Sequence, residues 1–294
     1  MSNVTAIGVD IGGTNIRAAR ISSLGEVLEW ATHPTASQPS LVSAQIGDLV
    51  RSLDDKTVKA VGIGIPGRVD ARLGRVLSGG YVDLASISLA SVLHDSFQRP
   101  IFIDNDCSMA LVAEHAVGRA RNVSNVVMFT IGTGIGGAAI TDGTVLRGRA
   151  AAGQLGHITV DLSGEQCLCG RRGCVETTSS GKALSRHLAA AGLDATTSVE
   201  NLLARSSGGD AIATSVLTAW ARPMRIAIDT AVAAFDPELV ILGGGLGMAM
   251  HQALANFPAL APWYQCPVEP AALGDRAGVI GAGLSALTNL ARNP

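Results

Sequence analysis

Between Gly153 and Thr177 the chain reads GQLGHITVDLSGEQCLCGRRGCVET, a polar stretch that holds His157 with Cys167, Cys169 and Cys174, three of the five cysteines. One imidazole nitrogen and three sulfurs suit a tetrahedral zinc with no open position, and a closed site of that kind is structural. Two other chemistries use the same residue types. A redox pair needs an exposed thiolate of low pKa and a resolving partner, and buried free cysteines pack as small apolar groups. Metal binding leads, because disulfides are rare in the reducing compartment expected for this chain.

A second group stands at IDNDCS, residues 103–108, where an apolar run ends in Asp104, Asn105 and Asp106. Phosphoryl transfer asks a protein mostly for positioning and charge neutralisation, plus one carboxylate that accepts the proton of the attacking hydroxyl. Asp and Asn are equally good helix N-caps. Both roles fit here, with one acid capping the helix that follows and another facing a ligand.

Three glycine-rich turns complete the set. DIGGT, residues 10–14, sets a carboxylate at a strand end before two residues without Cβ and a hydroxyl. Backbone N–H groups and the Thr14 hydroxyl of such a turn can face an anion while Asp10 faces a hydrated cation, which suits nucleotide phosphates with Mg²⁺. A hairpin without a ligand is the competing reading. GTGIGG, residues 132–137, matches G-x-G-x-x-G, but a dinucleotide fold requires a helix directly after the glycines, whereas AAITDGTVL continues as strand and hairpin. LGGGLG, residues 242–247, lies between a strand and a helix, where backbone can approach a base or ribose; a plain tight turn is the alternative. The sequence contains no G-x-x-x-x-G-K-[ST], which excludes a P-loop. Two phosphate-type hairpins and a third glycine turn point to a nucleotide cleft between two lobes.

The 294 residues are 47% hydrophobic, 16% charged and 3% aromatic, the composition of a soluble globular protein with an Ala, Val, Leu and Ile core. That length favours two α/β lobes over one. Twenty-four acids against 22 bases give a net charge of −2 without a basic block, so bulk charge draws neither nucleic acid nor an anionic membrane. Neither a leader pattern nor a run of ~18 apolar residues is present. A cytoplasmic protein is expected, with small molecules or its own copies as partners.

These groups need elements to position them. Residues 4–30 read as three strands of an antiparallel meander, broken at Gly12-Gly13 and at Ser23 to Gly25. LVSAQIGDLVRSL has helical spacing, VKAVGIGIPG is a buried strand entering a turn, and PIFIDND is a strand followed by a helix closed by Gly118. NVVMFTIGTGIGGAAITDGTVLRG repeats the opening design, with a hairpin signal at Asp142-Gly143. Residues 181–235 are mainly helical, and a last helix, GAGLSALTNLAR, ends the chain. The lobe boundary falls near 118–122, giving an N-terminal lobe of 1–118 completed by helix 281–294, and a C-terminal lobe of 119–280 carrying the loop 157–174.

DIGGT, IGIPG, NDCSMA, GTGIGG, GQLGH, CLCGRRGCVE and DPELVILGGG, in this order, resemble the ROK family of sugar kinases, repressors and related proteins over nearly the whole chain. The resemblance implies an actin-like ATPase (ribonuclease H-like) α/β fold of two lobes with a cleft between them. It also implies ATP and Mg²⁺ there, and transfer of the γ-phosphate to a hydroxyl of a small-molecule sugar, the 6-hydroxyl being expected. On the family's motifs Asp106 is the general base, and Gly67, Asn105, Gln154, His157 and Glu176 join it at the sugar. Asp10, Gly12, Gly13, Thr14, Thr133 and Gly134 lie at the phosphates, with Gly243, Gly244 and Gly245 along the adenosine. The resemblance gives the same structural Zn²⁺ on His157, Cys167, Cys169 and Cys174, and implies a homodimer or homotetramer. A zinc-bound His157 would keep its other ring nitrogen for a sugar hydroxyl.

Two positions depart from the family pattern. The family usually has Glu where this chain has Gln154; an amide hydrogen-bonds hydroxyls but cannot act as a carboxylate acceptor. In LSGGYVDLAS, residues 77–86, the glucokinase-like members carry an Asn; here Gly79 and Gly80 are expected to open space and Tyr81 or Asp83 to supply polar contacts. Some N-acetylmannosamine kinases of the family also lack that Glu, which favours N-acetylmannosamine. Glucokinase or allose kinase activity, or non-catalytic sugar binding, are the alternatives. The family's repressors carry a helix-turn-helix segment ahead of the first strand, and here a strand is expected from about residue 4. Cys107 and Cys266 are expected in packing roles, and His33, His94, His115, His187 and His251 on helices or the surface.

Overall fold

The computed structural model describes residues 4–80, 83–87, 89, 93 and 97–292; Tyr81 and His94 lie outside them. The chain divides into two compact units, Met1–Asn122 with Val145–Ala152 and Asp275–Pro294, and Val123–Thr144 with Gly153–Gly274. It thus passes between units four times, where the sequence suggested two passages.

The first unit is built on a five-stranded sheet of β1 (Thr5–Ile11), β2 (Asn15–Ser22), β3 (Val27–Pro34), β4 (Val58–Ile65) and β7 (Ile101–Asn105), in the order β3-β2-β1-β4-β7. β1, β2 and β3 form the antiparallel meander, and β1, β4 and β7 run parallel. The near-continuous burial of β1 and β4 is what a parallel strand covered on both faces requires. Helix α1 (Pro39–Leu53) turns Val42, Ile46, Leu49, Val50 and Leu53 inward, a stripe of helical period, with Pro near its start. A two-stranded ribbon of β5 (Gly67–Asp70) and β6 (Arg75–Gly79) follows β4, and α2 (Asp106–Val117) follows β7.

The second unit repeats the plan. Its sheet is ordered β10-β9-β8-β11-β12, from β8 (Val126–Ile131), β9 (Ile135–Thr141), β10 (Thr144–Val145), β11 (Leu239–Gly243) and β12 (Val268–Pro270). β8 and β9 form a hairpin, while β8, β11 and β12 are parallel. Asp142 and Gly143 take φ of 49° and 70°, the two left-handed positions of the turn read from the sequence. Helices α3 (Glu176–Ser179), α4 (Gly181–Ala190), α5 (Val199–Ser207), α6 (Ala211–Phe235) and α7 (Gly247–Leu254) complete it. Among the described residues no helix is long and apolar enough to cross a membrane.

The last helix, α8 (Ala277–Arg292), belongs to the first unit, packs Ala286 on Ala6 and Ala60, and meets backbone closely at several glycines. A Cβ on Gly8 would sit 1.9 Å from the Val279 carbonyl oxygen, one on Gly62 2.0 Å from that of Ala282, and one on Gly281 1.7 Å from that of Met109. These approaches lock β1, β4 and α2 to one helix; β1 carries Asp10 near its end, β4 leads into the Gly67 turn, and α2 begins at Asp106. Gly281→Ala is expected to destabilise the protein by ~2–3 kcal/mol, as overpacking does, read as a lower urea midpoint at constant slope; an unchanged midpoint would contradict this packing.

Candidate functional site

In the first unit the candidate residues gather at the carboxyl ends of the parallel strands, where open α/β sheets present ligand-binding groups. Asp10 pairs in register with Gly64, and Ile65 with Asn105. Gly12, Gly13 and Thr14 form the turn between β1 and β2; the Gly12 N–H donates to the Asn15 carbonyl at 3.0 Å, and the Thr35 hydroxyl donates to the Gly12 carbonyl. Gly13 and Thr14 are exposed. Arg17 lies beside this turn, with its guanidinium 3.6 Å from Asp10 and 3.2 Å from Asp275.

The cap of α2 is Asn105, where the sequence suggested an acid. Its Oδ1 accepts from the N–H groups of Cys107 (3.0 Å) and Ser108 (3.1 Å), and its Nδ2 donates to the Gly67 carbonyl and to Asp106 Oδ1, both at 2.9 Å. These four bonds occupy the whole capacity of an amide, so a sugar hydroxyl could take an Asn105 hydrogen only by displacing one of them. Gly67 has φ of +103°, and a Cβ there would lie 2.3 Å from the Ser78 carbonyl oxygen. Asp104, nearly buried, is not a cap either: it accepts from the Asn105 N–H and forms an ion pair with Arg147. Arg147 had no sequence signal as a site residue, since its partner is 43 positions away. Gly80 packs on Pro66, 2.6 Å from where its Cβ would be, so it opens no space. Asp83 accepts from the Ala85 N–H.

Two carboxylates in this unit have raised pKa values. Burial first, and then the Asp106 charge, push Asp10 up to about 7, with Arg17 opposing. Burial also raises Asp106, against the N–H donors of Cys107 and Asn105. Two half-buried carboxylates, the charge of Asp106 adding to the cost of ionising Asp10, suit a hard divalent cation such as Mg²⁺, bound through oxygen.

In the second unit the Gly132–Gly134 turn joins β8 to β9, and its ends are fastened to α4: the Gly181 N–H donates to the Gly132 carbonyl at 2.8 Å and that of Lys182 to the Thr133 carbonyl at 3.3 Å. Glu176 Oε2 accepts from the Ile135 N–H at 2.9 Å, and a Cβ on Gly134 would lie 2.5 Å from the same oxygen. Glu176 is thus brought against the turn holding Thr133 and Gly134. Gly243 ends β11; Gly244 has φ of +77° and leaves only 2.5 Å between a Cβ and the Ile131 carbonyl oxygen. The Leu246 N–H donates to that carbonyl, so the Gly243–Gly245 turn is tied to the end of β8. Gln154 precedes a short turn, Leu155–His157, and is half-buried.

His157, Cys167, Cys169 and Cys174 place one ligand atom each within 4.8 Å of all the others. His157 Nδ1 is 3.6 Å from Cys167 Sγ, and the sulfurs of Cys169 and Cys174 are also 3.6 Å apart. Tetrahedral zinc with Zn–S near 2.3 Å sets its sulfurs ~3.8 Å apart, so donor types and spacing fit Zn²⁺. Burial, then the neighbouring Cys169 and Cys167 thiols, push Cys174 up to about 12, a cost that a bound cation removes. Nδ1 is the ring nitrogen on the metal side. Cys107 is buried and the Cys266 thiol donates to the Pro237 carbonyl.

Paired sheets of this plan, with glycine turns and carboxylates at their parallel-strand ends, define the actin-like ATPase fold, which the solved structures below share. The chain belongs to the ROK family, whose family model matches residues 6–289. Among curated relatives, an N-acetylmannosamine kinase of Citrobacter koseri is 31% identical, over 96% of this chain and 99% of that protein. A glucokinase of Halalkalibacterium halodurans is 28% identical, over 96% and 95%. Among solved structures, a ROK hexokinase from Thermus thermophilus matches with TM-score 0.80 and 30% identity, over 98% of this chain and 100% of that one. A ROK glucokinase from Streptomyces griseus, in complex with glucose and AMPPNP, matches with TM-score 0.80 and 27% identity, over 97% and 99%.

Two outcomes follow. Metal analysis of the purified protein should find about one zinc per chain, lost in Cys169→Ser together with part of the thermal stability; a zinc-free wild type of equal stability would contradict the site. Asp10 has a folded pKa above its unfolded value, so its contribution is full below about pH 4 and is lost as pH rises towards 7. Without Mg²⁺, Asp10→Asn should therefore be more stable than wild type at pH 8, by on the order of 2 kcal/mol, with the gap closing near pH 4 in urea titrations.

Proposed function

We infer that the chain is an ATP-dependent carbohydrate kinase, and we propose that it transfers the γ-phosphate of ATP to the 6-hydroxyl of a hexose or N-acetylhexosamine, N-acetylmannosamine foremost. The observation that carries this is Asp106: a carboxylate at the head of α2, held by Asn105 and made more basic by burial. A base with a raised pKa accepts the hydroxyl proton more readily near neutral pH. As the sugar oxygen bonds to the γ-phosphorus, its proton passes to Asp106 and the bond from that phosphorus to the ADP oxygen breaks, so ADP leaves.

The proposal assigns Gly67, Asn105, Gln154, His157 and Glu176 to the sugar. Asp10, Gly12, Gly13, Thr14, Thr133 and Gly134 are assigned to the phosphates, and Gly243, Gly244 and Gly245 to the adenosine. Glycine at 134 and 244 is needed by the turns themselves, because a Cβ there would meet the Glu176 carboxylate or the Ile131 carbonyl. Mg²⁺, held on the Asp10 side, supplies charge neutralisation for the transferring phosphate. Zinc, held by His157 and the three cysteines, supplies a fixed imidazole, leaving Nε2 of His157 to meet a sugar hydroxyl. The amide of Gln154, in place of the usual family carboxylate, favours an N-acetylated sugar, in line with the Citrobacter koseri relative's name. The oligomer proposed is a homodimer or homotetramer.

A coupled ADP-release assay with ATP and Mg²⁺ across glucose, mannose, allose, fructose and the N-acetylhexosamines tests this reading. Turnover is expected with at least one of them and highest with N-acetylmannosamine; no turnover on the panel would contradict the proposal. Asp106→Asn should lower kcat by ~10²–10⁴-fold with the fold intact. In wild type, kcat/KM should fall on the acid side at a pH above the ordinary carboxylate range, because only ionised Asp106 accepts the proton.

A further inference from the structure

Arg147 lies in Val145–Ala152, a segment that packs with the first unit although the chain on either side belongs to the second. Its own backbone is fixed: the Arg147 carbonyl accepts from the N–H of Ala150 at 3.0 Å and of Ala152 at 3.4 Å, around a turn in which Gly148 and Ala150 take φ of +55° and +64°. A non-glycine residue in that region is uncommon, so this turn is held by its surroundings. From it the guanidinium reaches Asp104, with Nε and Nη2 each 2.8 Å from Oδ2.

Asp104 has little other freedom. It is 4% exposed, and its second oxygen accepts from the Asn105 N–H at 2.8 Å. β7, which carries both residues, is the outer strand of its sheet and pairs in register with β4 alone, so at the end of β7 these side-chain bonds do the holding that a neighbouring strand does elsewhere. A chain of bonds thus runs from Arg147 to Asp104, from Asp104 to Asn105, and from Asn105 Nδ2 to Asp106 Oδ1.

We propose that Arg147 is a positioning residue for phosphoryl transfer, which acts through the buried carboxylate of Asp104 to set Asn105 and, through it, the reacting oxygens of Asp106. The inference rests on the kinase reading above. The fork of an arginine suits the task, because two N–H groups converge on one carboxylate in a fixed plane, whereas a lysine supplies the charge without the plane. Small misplacements of a reacting group are costly to rate even when the fold survives.

The test compares wild type, Arg147→Met, Arg147→Lys and the double variant Arg147→Met/Asp104→Asn, with sugar and ATP varied separately in the ADP-release assay and thermal melting followed in parallel. Arg147→Met should lose about 10- to 100-fold in kcat/KM for the sugar, while KM for ATP stays within about twofold. Arg147→Lys should recover part of that loss. The double variant should melt closer to wild type than Arg147→Met, since no buried charge is left unpaired, yet keep the sugar defect because the fork is still missing. Wild-type sugar kinetics in Arg147→Met, whatever its melting temperature, would overturn the inference while leaving the kinase reading in place. So would equal losses for sugar and ATP that merely track melting temperature. An inactive wild type would remove the kinase reading and this inference together.

Discussion

The side-chain amide of Asn105 is the point on which the first unit's chemistry turns. An amide has two donor hydrogens and two acceptor positions, and here all four are spent inside the protein, on Gly67, Asp106, Cys107 and Ser108. One residue therefore closes the N-terminus of α2, holds the ribbon that begins at Gly67, and orients the carboxylate next to it. An aspartate at 105 would cap the helix as well, but would set its second oxygen against the Gly67 carbonyl and the Asp106 carboxylate. Only a group that accepts on one side and donates on the other satisfies the surroundings.

The same economy governs the backbone beneath. Strands β1, β4 and β7 deliver Asp10, the Gly67 turn and Asp104 to Asp106 to one edge of their sheet, and α8 approaches so closely that glycine is needed at Gly8, Gly62 and Gly281. The second unit reaches comparable precision by a different route. There a loop of three cysteines and one histidine gathers its ligand atoms within 4.8 Å, and Glu176, directly after that loop, reaches the Ile135 amide beside the Gly134 turn. The cysteine loop and the Gly132–Gly134 turn are thereby joined through one carboxylate.

Much of this was legible in the sequence where local physics decides. The left-handed Asp142-Gly143 turn, the opening meander and the absence of a helix after GTGIGG follow from residue types and spacing, as does the gathering of His157 with three cysteines. What was not legible depends on reach across the fold. The identity of the α2 cap was ambiguous because Asp104, Asn105 and Asp106 are all competent caps, and the choice is made by the distant Gly67 carbonyl and Arg147. The excursion of Val145–Ala152 into the first unit carries no periodic signal. Gly80 read as open space, but Pro66 fills it. The last helix was legible as a helix, but its docking was not, because the contacts that require its glycines come from strands and a helix far away in the chain.

The central claim is that Asp106, steadied by Asn105, meets the acceptor hydroxyl. A crystal structure of the zinc-loaded protein with its best sugar and a non-hydrolysable ATP analogue tests this most directly. The account predicts an Asp106 carboxylate oxygen ~2.6–3.2 Å from the acceptor hydroxyl, with Asn105 still bonded to the Gly67 carbonyl. A sugar seated with that hydroxyl on another group, and Asp106 turned wholly to its own helix, would contradict it.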